Sequence, residues 1–380
     1  MTRVPRRPRV LHLATRYQRG GSEQRIRDLV AALPDVDHII VVGVESDAEL
    51  AAEQFGFPVV VERHLVRPPR PDRDLRAVLA MRARLRRDPV DLVITHQSKA
   101  GVIGRIAARL SGSVPVVHSL SMASFGPGYG RLESAVFRTV ERALAPMTAR
   151  YVVVGADLAR RFEVAGVASD KLTIVRSAAT LPAARPASSL PVAGVPGDRP
   201  VILSLGALEE RKNPLDLVPL LGQVRAAVPD AFLAVAGSGP LAEELQRQID
   251  AAGLQDHVAL LGYVKPTEPL LWRADAVVLL SNAEGLPQVL IQAAAAGVPF
   301  VAYDVDGARE VVALGAAGAV VPLGDVRAAA DGLVHLLQNV PAGSRTVDVK
   351  SWDREVIYSS YRRVVDDIIG ESVGEVRRAG

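Results

Sequence analysis

The sequence predicts an α/β protein made of two doubly wound domains, each with a parallel sheet covered by helices. Short β-branched runs alternate with helical stretches along most of the 380 residues, which is the pattern of βαβ units. These runs are continuously apolar, as expected for strands covered on both faces. At roughly 150 residues per domain, the length favours two domains over one.

The first half of the chain contains six predicted strands behind a basic N-terminal tail. The apolar run in this tail is too short for the core of a signal peptide. Helical stretches such as SEQRIRDLVAAL (22–33) and KAGVIGRIAARLS (99–111) separate the strands. The predicted strands are RVLHLA (9–14), HIIVVG (38–43), FPVVVE (57–62), DLVITH (91–96), VPVVHS (114–119) and RYVVVG (150–155).

The second half repeats the same alternation after a segment rich in Pro, Ala, Ser and Gly (177–200), which we interpret as a linker. We therefore expect domains at 1–182 and 183–352, with a cleft between them and a C-terminal helix at about 353–375. The predicted strands of this half are RPVILSLG (199–206), AFLAVAG (231–237), HVALLGY (257–263), DAVVLLS (275–281), VPFVAYD (298–304) and AVVPL (319–323).

Composition excludes several classes of function. The formal charge is only +3 and no recognition motif with interleaved aromatics is present, so nucleic acid is not an expected partner. Without cysteine there is no disulfide, thiolate metal site or cysteine nucleophile, which fits a cytoplasmic protein. No run reaches the roughly 18 apolar residues of a membrane span. A basic amphipathic helix is predicted at 75–89. Its basic side is interpreted as a solvent-exposed face, and contact with an anionic membrane surface is the alternative.

Three loops at predicted strand ends of the second half suit a phosphate-containing ligand. Arg211 and Lys212 follow the strand VILSLGAL, where a cation can meet a phosphate. Gly237 and Gly239 permit a tight turn and close backbone approach after AFLAVAG. The third glycine of a dinucleotide fingerprint is absent there.

The third loop, SNAEGLP, precedes an alanine-rich helix. Pro287 suits the first helical turn, whose free N–H groups and dipole favour an anion. Gly285 lets a ligand lie against the backbone, and Glu284 can accept hydrogen bonds from ligand hydroxyls. Three such loops in one domain are more telling than any one alone.

The first half offers weaker candidates. Gly20 and Gly21 are expected to form a loop after the first strand, with Ser22 as the N-cap of the next helix. The stretch THQSKAG places His96, Ser98 and Lys99 after the fourth strand, although Ser98 as a helix cap and Lys99 as a solvated cation are competing interpretations.

Structural roles are predicted for several other polar residues of the sequence. His12 and His38 lie in or beside apolar strands. The two DVD stretches, at 35–37 and 304–306, are interpreted as loops and caps, so no required metal is predicted.

These loops, in this order, resemble the retaining family-4 glycosyltransferases of the GT-B fold, which has two Rossmann-like domains facing a cleft. The similarity runs from about residue 8 to residue 330, and SWDREVIYSSYRRVV resembles the family's C-terminal helix, which crosses back to the first domain. The matching stretches are GGSE, THQSKAGVIGRIAARLSGSVPVVHS, ERKN, AGSGPLAEEL, LLGYV, SNAEGLPQVLIQAAAAGVPFVAYDVDGAREVV and GAVVPLGD.

The resemblance implies a nucleotide-sugar donor, UDP- or GDP-linked, with no cofactor, no metal and no protein nucleophile. It assigns the donor diphosphate to Lys212 and the donor sugar to Glu284. The remaining donor-site residues it implies, together with Arg211 and Gly239 from the loops above, are Gly20, Gly21, Gly262, Tyr263, Gly285, Leu286, Pro287 and Gln292. Sugar or acceptor contacts are expected from His96, His118 and Ser121.

Three matched positions depart from the family pattern. Gln292 replaces the acid that binds the ribose hydroxyls, and a glutamine offers one acceptor and one donor group where a carboxylate makes two charge-assisted bonds. Ala207 stands where many members have arginine, and Ser121 where many have histidine. Arg211 and His118 are the candidate replacements for these two lost groups.

The sequence therefore predicts a glycosyltransferase that acts on a small-molecule, lipid or polysaccharide acceptor, with its oligomeric state open. Two alternatives remain. One is a binding or scaffold protein that has lost transfer, suggested by the three departures. The other is a nucleotide-sugar epimerase of the same fold, which would require further acids and histidines. A location at the inner face of the membrane is compatible with the basic helix.

Overall fold

In a computed structural model the chain forms two compact α/β units. Unit 1 comprises Met1–Ala178 and Arg354–Gly380, and unit 2 comprises Ala179–Asp353. The structure describes residues 6–18, 21–126, 129–179, 192–340, 347 and 349–379. The domain boundary predicted at 182/183 lies outside these described residues.

Unit 1 has a parallel sheet of seven strands within its described residues, in the order β3-β2-β1-β4-β5-β6-β7. The strands are β1 (Arg9–Ala14), β2 (Asp37–Gly43), β3 (Val60–Glu62), β4 (Leu92–His96), β5 (Val116–Leu120), β6 (Arg150–Val153) and β7 (Leu172–Ile174). The helices are α1 (Gly21–Ala31), α2 (Ala48–Phe55), α3 (Pro71–Arg87), α4 (Ser98–Leu110), α5 (Arg131–Leu144) and α6 (Ala156–Val164).

Two strands of unit 1 differ from the prediction. β7 was not predicted, because a three-residue strand in the polar context DKLTIVRS carries too short an apolar signal. β3 is three residues long instead of six. Pro58 stands in the missing half and has no backbone N–H to donate to a neighbouring strand.

Unit 2 has a parallel sheet of six strands in the part of it that the structure describes, in the order β10-β9-β8-β11-β12-β13. The strands are β8 (Val201–Leu205), β9 (Phe232–Ala236), β10 (Val258–Gly262), β11 (Ala276–Leu279), β12 (Phe300–Tyr303) and β13 (Gly318–Val321). The helices are α7 (Leu217–Ala227), α8 (Ala242–Ala251), α9 (Glu268–Arg273), α10 (Gln288–Ala295), α11 (Ala308–Ala313) and α12 (Val326–Asn339).

The C-terminal helix α13 (Arg354–Ala379) belongs to unit 1, as the sequence predicted. Ile357, Tyr361 and Val365 recur every four residues and are buried with strand residues of unit 1 in one hydrophobic core. A second core on the opposite face of the same sheet is formed with α3 and α4. Helices therefore cover both faces, and the predicted doubly wound architecture is confirmed.

A buried ion pair joins α4 to α5 in unit 1. The Arg105 guanidinium donates to both carboxylate oxygens of Glu141, at 2.8 and 2.9 Å, and to the Tyr151 hydroxyl at 2.9 Å. The two charged side chains are 0% and 5% exposed. Such bidentate geometry offsets the cost of burying both charges.

In both sheets all strands run parallel, but the side on which successive strands are added changes once. The change falls between β1 and β4 in unit 1 and between β8 and β11 in unit 2. In open parallel sheets, ligands bind outside the carboxyl ends of the strands at this switch point. The loops that follow these four strands are therefore the expected positions of a ligand site.

Candidate functional site

The switch point of unit 2 brings together the two loops that carry Lys212 and Glu284. Lys212 ends a short 3-10 turn (Glu210–Lys212) after β8, and Glu284 follows β11. Hydrogen bonds join the loops: the Asn282 backbone N–H donates to Arg211 O at 2.8 Å, and the Asn282 amide donates to Glu210 O at 3.2 Å. These two bonds join the loops independently of the contact between Lys212 and Glu284.

Two cations converge on one carboxylate at this point. Lys212 Nζ forms an ion pair with Glu284 Oε1, and Arg211 Nη1 lies 3.4 Å from Glu284 Oε2. The side chains of Lys212 and Glu284 are 20% and 9% exposed, whereas that of Arg211 is 36% exposed. Arg211 also donates to Ala283 O at 3.1 Å and pairs with Glu209 at 2.8 Å. The arrangement concentrates positive charge beside a partly buried acid, which suits a diphosphate attached to a polar group.

The helix entrance after Glu284 differs in detail from the prediction. α10 begins at Gln288, so Pro287 is the extended N-cap residue and not part of the first turn. Gly307, in the loop before α11, lets that loop approach this entrance closely, because a Cβ at that position would lie 3.0 Å from Leu286 Cα and 3.0 Å from Pro287 Cδ. Gly285, Leu286 and Pro287 are all buried.

Sequence reasoning missed Ser281 and Gln288 in this region. The Ser281 hydroxyl is fully buried, and both amide atoms of Gln288 are buried; none of these atoms has a hydrogen-bond partner within the described residues. Buried polar groups are normally paired, so orphaned ones call for an explanation such as a ligand. The sequence signal was their position: Ser281 lies two residues after the end of β11, and Gln288 is the first residue of α10.

The other predicted donor-site residues of unit 2 lie after β9, at the end of β10 and in α10. Gly239 packs against backbone, since a Cβ there would lie 2.4 Å from Leu208 O. Gly262 has a φ of +67°, which favours glycine. Tyr263 is 69% exposed. Gln292 lies in the middle of α10 and is half-buried.

In unit 1 the switch point holds different chemistry from that predicted. Gly21 is the first residue of α1 and not part of a loop, whereas Gly20 and the side chain of Ser22 lie outside the described residues. Ser98 is the first residue of α4, and the N-cap is Gln97. Lys99 is not a free solvated cation, because Nζ donates to Pro68 O and pairs with Asp74, both at 2.6 Å.

The histidines of unit 1 are buried. His96 ends β4 and is 4% exposed. His118 is 0% exposed under α4, where Nδ1 lies 2.8 Å from Thr95 Oγ1 and a Cβ on Gly101 would lie 2.3 Å from the ring. Ser121 is half-buried after β5. The burial of His118 argues against the expectation that it serves in place of the histidine missing at Ser121.

We expect the free energy of unfolding to fall below neutral pH because of buried histidines. Burial, with help from nearby arginines, lowers the pKa of His96 and of His118 to about 3. The unfolded chain protonates these rings below about pH 6.5, whereas the folded chain does not until about pH 3. Each ring should therefore cost about 1.4 kcal/mol of stability per pH unit in that window. Urea unfolding at pH 7.5, 6.0 and 5.0 measures this; equal stabilities would contradict it.

The first aspartate of each DVD stretch has an arginine partner. Asp35 pairs with Arg362, and Asp304 pairs with Arg309 at 2.8 Å. Within the ranges that the structure describes, no three His, Asp or Glu side chains converge as metal ligands. In the same ranges no helix is both long and apolar enough to cross a membrane.

Comparison with known proteins identifies the family. Residues 19–178 match the family model described as Glycosyltransferase Family 4, and residues 189–346 match that described as Glycosyl transferases group 1. The phosphatidyl-myo-inositol mannosyltransferase of Mycobacterium leprae is 30% identical over 383 residues, covering 94% of this chain and 92% of that protein. This chain belongs to the family-4 glycosyltransferases. The predicted family is confirmed.

Two further likenesses extend this result. The GDP-mannose-dependent alpha-(1-6)-phosphatidylinositol monomannoside mannosyltransferase of Mycolicibacterium smegmatis is 37% identical over 150 residues, 37% of this glycosyltransferase and 39% of that protein. The structure of Anabaena HepE in complex with UDP-glucose superposes with a TM-score of 0.65 at 19% identity, covering 97% and 99% of the two chains. The GT-B fold is thereby confirmed, and the chain is an enzyme that transfers sugars from nucleotide-sugar donors.

Proposed function

We propose that this glycosyltransferase moves a hexose from a UDP- or GDP-linked donor to a hydroxyl group, with retention of configuration and without a metal ion. The observation that carries the proposal is the convergence of Lys212 and Arg211 on Glu284 at the switch point of unit 2.

Charge is the reason for assigning the diphosphate to this place. The leaving diphosphate gains negative charge as the bond to the sugar breaks, and fixed cations stabilise that charge. Lys212 supplies one cation, and Arg211 supplies a second within 3.4 Å of the same acid. Arg211 therefore stands in for the arginine expected at Ala207. The N-terminus of α10 adds N–H groups that favour an anion.

Glu284 has a separate role in this proposal. Without substrate its carboxylate is held by Lys212 and Arg211. When the diphosphate takes over these cations, the carboxylate becomes free to accept hydrogen bonds from hydroxyls of the donor sugar. Donor binding thus exchanges one set of charge-assisted bonds for another.

The reaction follows from these roles. The acceptor oxygen attacks the anomeric carbon on the face that the diphosphate is leaving, so the new bond keeps the original configuration. The hydroxyl proton passes to the departing phosphate oxygen, and the nucleoside diphosphate is released. No covalent bond to the protein forms at any stage.

A transfer assay tests the proposal. The purified enzyme is incubated with radiolabelled GDP-mannose, UDP-glucose or UDP-galactose and phosphatidylinositol, and the anomeric configuration of the product is read by NMR. We expect an α-linked product from an α-linked donor, at a rate unchanged by EDTA. A β-linked product would contradict retention, and loss of activity in EDTA would contradict metal independence. Donor binding without transfer across a wider acceptor panel would favour the binding-protein alternative.

Gln292→Glu is expected to tighten nucleotide binding about tenfold, because a carboxylate makes stronger hydrogen bonds to two ribose hydroxyls than an amide does. Calorimetric titration with GDP and UDP measures the change. A 2′-deoxy nucleotide is the control, since it removes one of the hydroxyls and should reduce the gain. Unchanged or weaker binding of both ribonucleotides would show that Gln292 does not face the ribose.

We also propose that α3 contacts an anionic membrane surface. Leu75 and Leu79 are 61% and 48% exposed, and the sequence continues along the same helical side with Arg82 and Arg86. Exposed leucines beside arginines suit the headgroup region of an anionic bilayer. Co-sedimentation with phosphatidylglycerol vesicles should exceed that with phosphatidylcholine and should fall in the Leu75→Ser, Leu79→Ser double variant. Equal sedimentation of both proteins would contradict this contact.

A further inference from the structure

Three histidines of unit 1 form a hydrogen-bonded chain across one face of its sheet. His96 Nε2 lies 3.3 Å from His12 Nδ1, and His12 Nε2 lies 3.0 Å from His38 Nδ1. The chain starts at the carboxyl end of β4, crosses the middle of β1 and ends near the amino end of β2. It therefore runs from the switch point of unit 1 towards the amino ends of the neighbouring strands.

A backbone carbonyl sets the direction of this chain. His38 Nε2 lies 3.0 Å from Leu33 O, and a carbonyl can only accept, so Nε2 of His38 carries the proton. In a neutral ring the other nitrogen then accepts, which requires His12 to donate from Nε2. By the same step His96 donates from Nε2 to His12. Nδ1 of His96 is left as a bare acceptor at the switch point.

The surroundings keep all three rings neutral. Burial lowers the pKa of each ring. Arg25 and His118 lower the pKa of His96 further. At the other end Asp37 and Asp35 raise the pKa of His38, but less than burial lowers it. When all three rings are neutral, each donates its hydrogen bond in the same direction along the chain, and the Leu33 carbonyl determines which direction that is.

Arg25, whose charge lowers the pKa of His96, carries a donor that is unpaired in the part of the chain that the structure describes. Arg25 is 2% exposed and has no ion-pair partner among the described residues, in contrast to the fully paired Arg105. Its Nε and Nη1 donate to Ser119 Oγ at 3.3 Å and Val175 O at 2.8 Å, whereas Nη2 has no partner within the described residues. A hydroxyl group can donate to a bare nitrogen and accept from an N–H at the same time.

The backbone next to His96 is strained. Gln97 has a φ of +68° and a ψ of 156°, a region that L residues rarely adopt. Two hydrogen bonds hold it there: the Gln97 amide accepts from Arg16 N at 3.1 Å and donates to Arg16 O at 2.9 Å. Strain maintained in this way is concentrated at functional sites.

We propose that His12 and His38 are positioning residues that hold His96 in the Nε2–H tautomer, so that His96 Nδ1 accepts a hydrogen bond from a hydroxyl of the sugar-accepting substrate. The proposal rests on the proposed function, since the donor site is assigned to unit 2 and unit 1 is left to bind the acceptor.

The tautomer is tested without any substrate. Long-range proton–nitrogen NMR spectra of the full chain, labelled with ¹⁵N at histidine, distinguish protonated from bare ring nitrogens at pH 7.5. We expect a bare Nδ1 on His96 in the wild type. The isosteric pair His38→Leu and His38→Asn provides the matched comparison, because the Asn carbonyl oxygen takes the place of Nδ1 as an acceptor. His38→Leu should give mixed tautomers at His96, and His38→Asn should retain the wild-type signal.

Transfer kinetics with phosphatidylinositol test the consequence. His38→Leu should lower kcat/KM for the acceptor about tenfold, the effect of losing one oriented hydrogen bond. His38→Asn should recover most of this loss, and the Kd for GDP should stay unchanged in both. Equal kinetics of the two variants would overturn the positioning role. A protonated Nδ1 on wild-type His96 would overturn the proposal even if His38→Leu failed to fold. Absence of any transfer would instead count against the proposed function, and the NMR result would still decide the tautomer.

Discussion

Lys212→Ala is expected to lower kcat/KM by about two to three orders of magnitude, the usual effect of removing one fixed group that stabilises developing negative charge. Lys212 is partly buried against Glu284, so its ammonium is held at the place where the donor diphosphate is assigned. The remaining Arg211 is more exposed and cannot supply the same charge at the same point. Steady-state kinetics with the donor and acceptor that give turnover measure the loss.

Lys212→Arg is the matched control for this experiment. It retains the charge but changes the shape of the head group, so we expect an intermediate loss. The two variants together separate the charge of Lys212 from its fit. A Lys212→Ala enzyme within a few-fold of wild-type activity would show that the diphosphate binds elsewhere.

Glu141→Gln is expected to destabilise the protein by about 3–5 kcal/mol, because it leaves the buried guanidinium of Arg105 without a counter-charge. Burial by itself raises the pKa of Glu141, but the hydrogen bonds and charge of Arg105, together with His118, outweigh burial and lower it overall. The carboxylate therefore stabilises the fold above the unfolded-state pKa, and this contribution is lost as the pH falls through the lowered pKa. Urea unfolding measures both effects.

An exposed ion pair of unit 2 serves as the comparison. Asp304 and Arg309 are 42% and 66% exposed, and Asp304→Asn should cost less than about 1 kcal/mol. The difference between the two variants isolates the effect of burial. Equal losses in both would contradict the structural account of the Arg105–Glu141 pair.

The sequence predicted most of the fold because the strands are continuously apolar and the loops between them are punctuated by glycine and proline. Apart from β7, the strands described here were predicted, with small shifts at their ends. Differences at the ends of elements have local causes. Pro58 shortens strand β3, and because Pro287 is extended, helix α10 begins one residue later, at Gln288. A three-residue strand such as β7 depends on its neighbours in the sheet and leaves no periodic signal.

The candidate site was predictable only where a single loop carries its chemistry. Lys212 and Glu284 were named from loops after strands, and the structure brings them into contact. Partners distant in sequence were not predictable. His12 meets a histidine 84 residues away, and the orphaned groups of Ser281 and Gln288 become apparent only once burial is known. Hydrogen-bond satisfaction is a property of the packed fold and not of a local sequence.

Calorimetric titration of the wild type and of Lys212→Ala with GDP and UDP tests the central claim most directly, that the Lys212–Glu284 pair of unit 2 is the donor diphosphate site. We expect the wild type to bind at least one of the two nucleotides and the variant to bind it about tenfold more weakly or worse, because a charge-assisted bond to phosphate is lost. Equal affinity in the two proteins, or no binding of either nucleotide by the wild type, would contradict the claim.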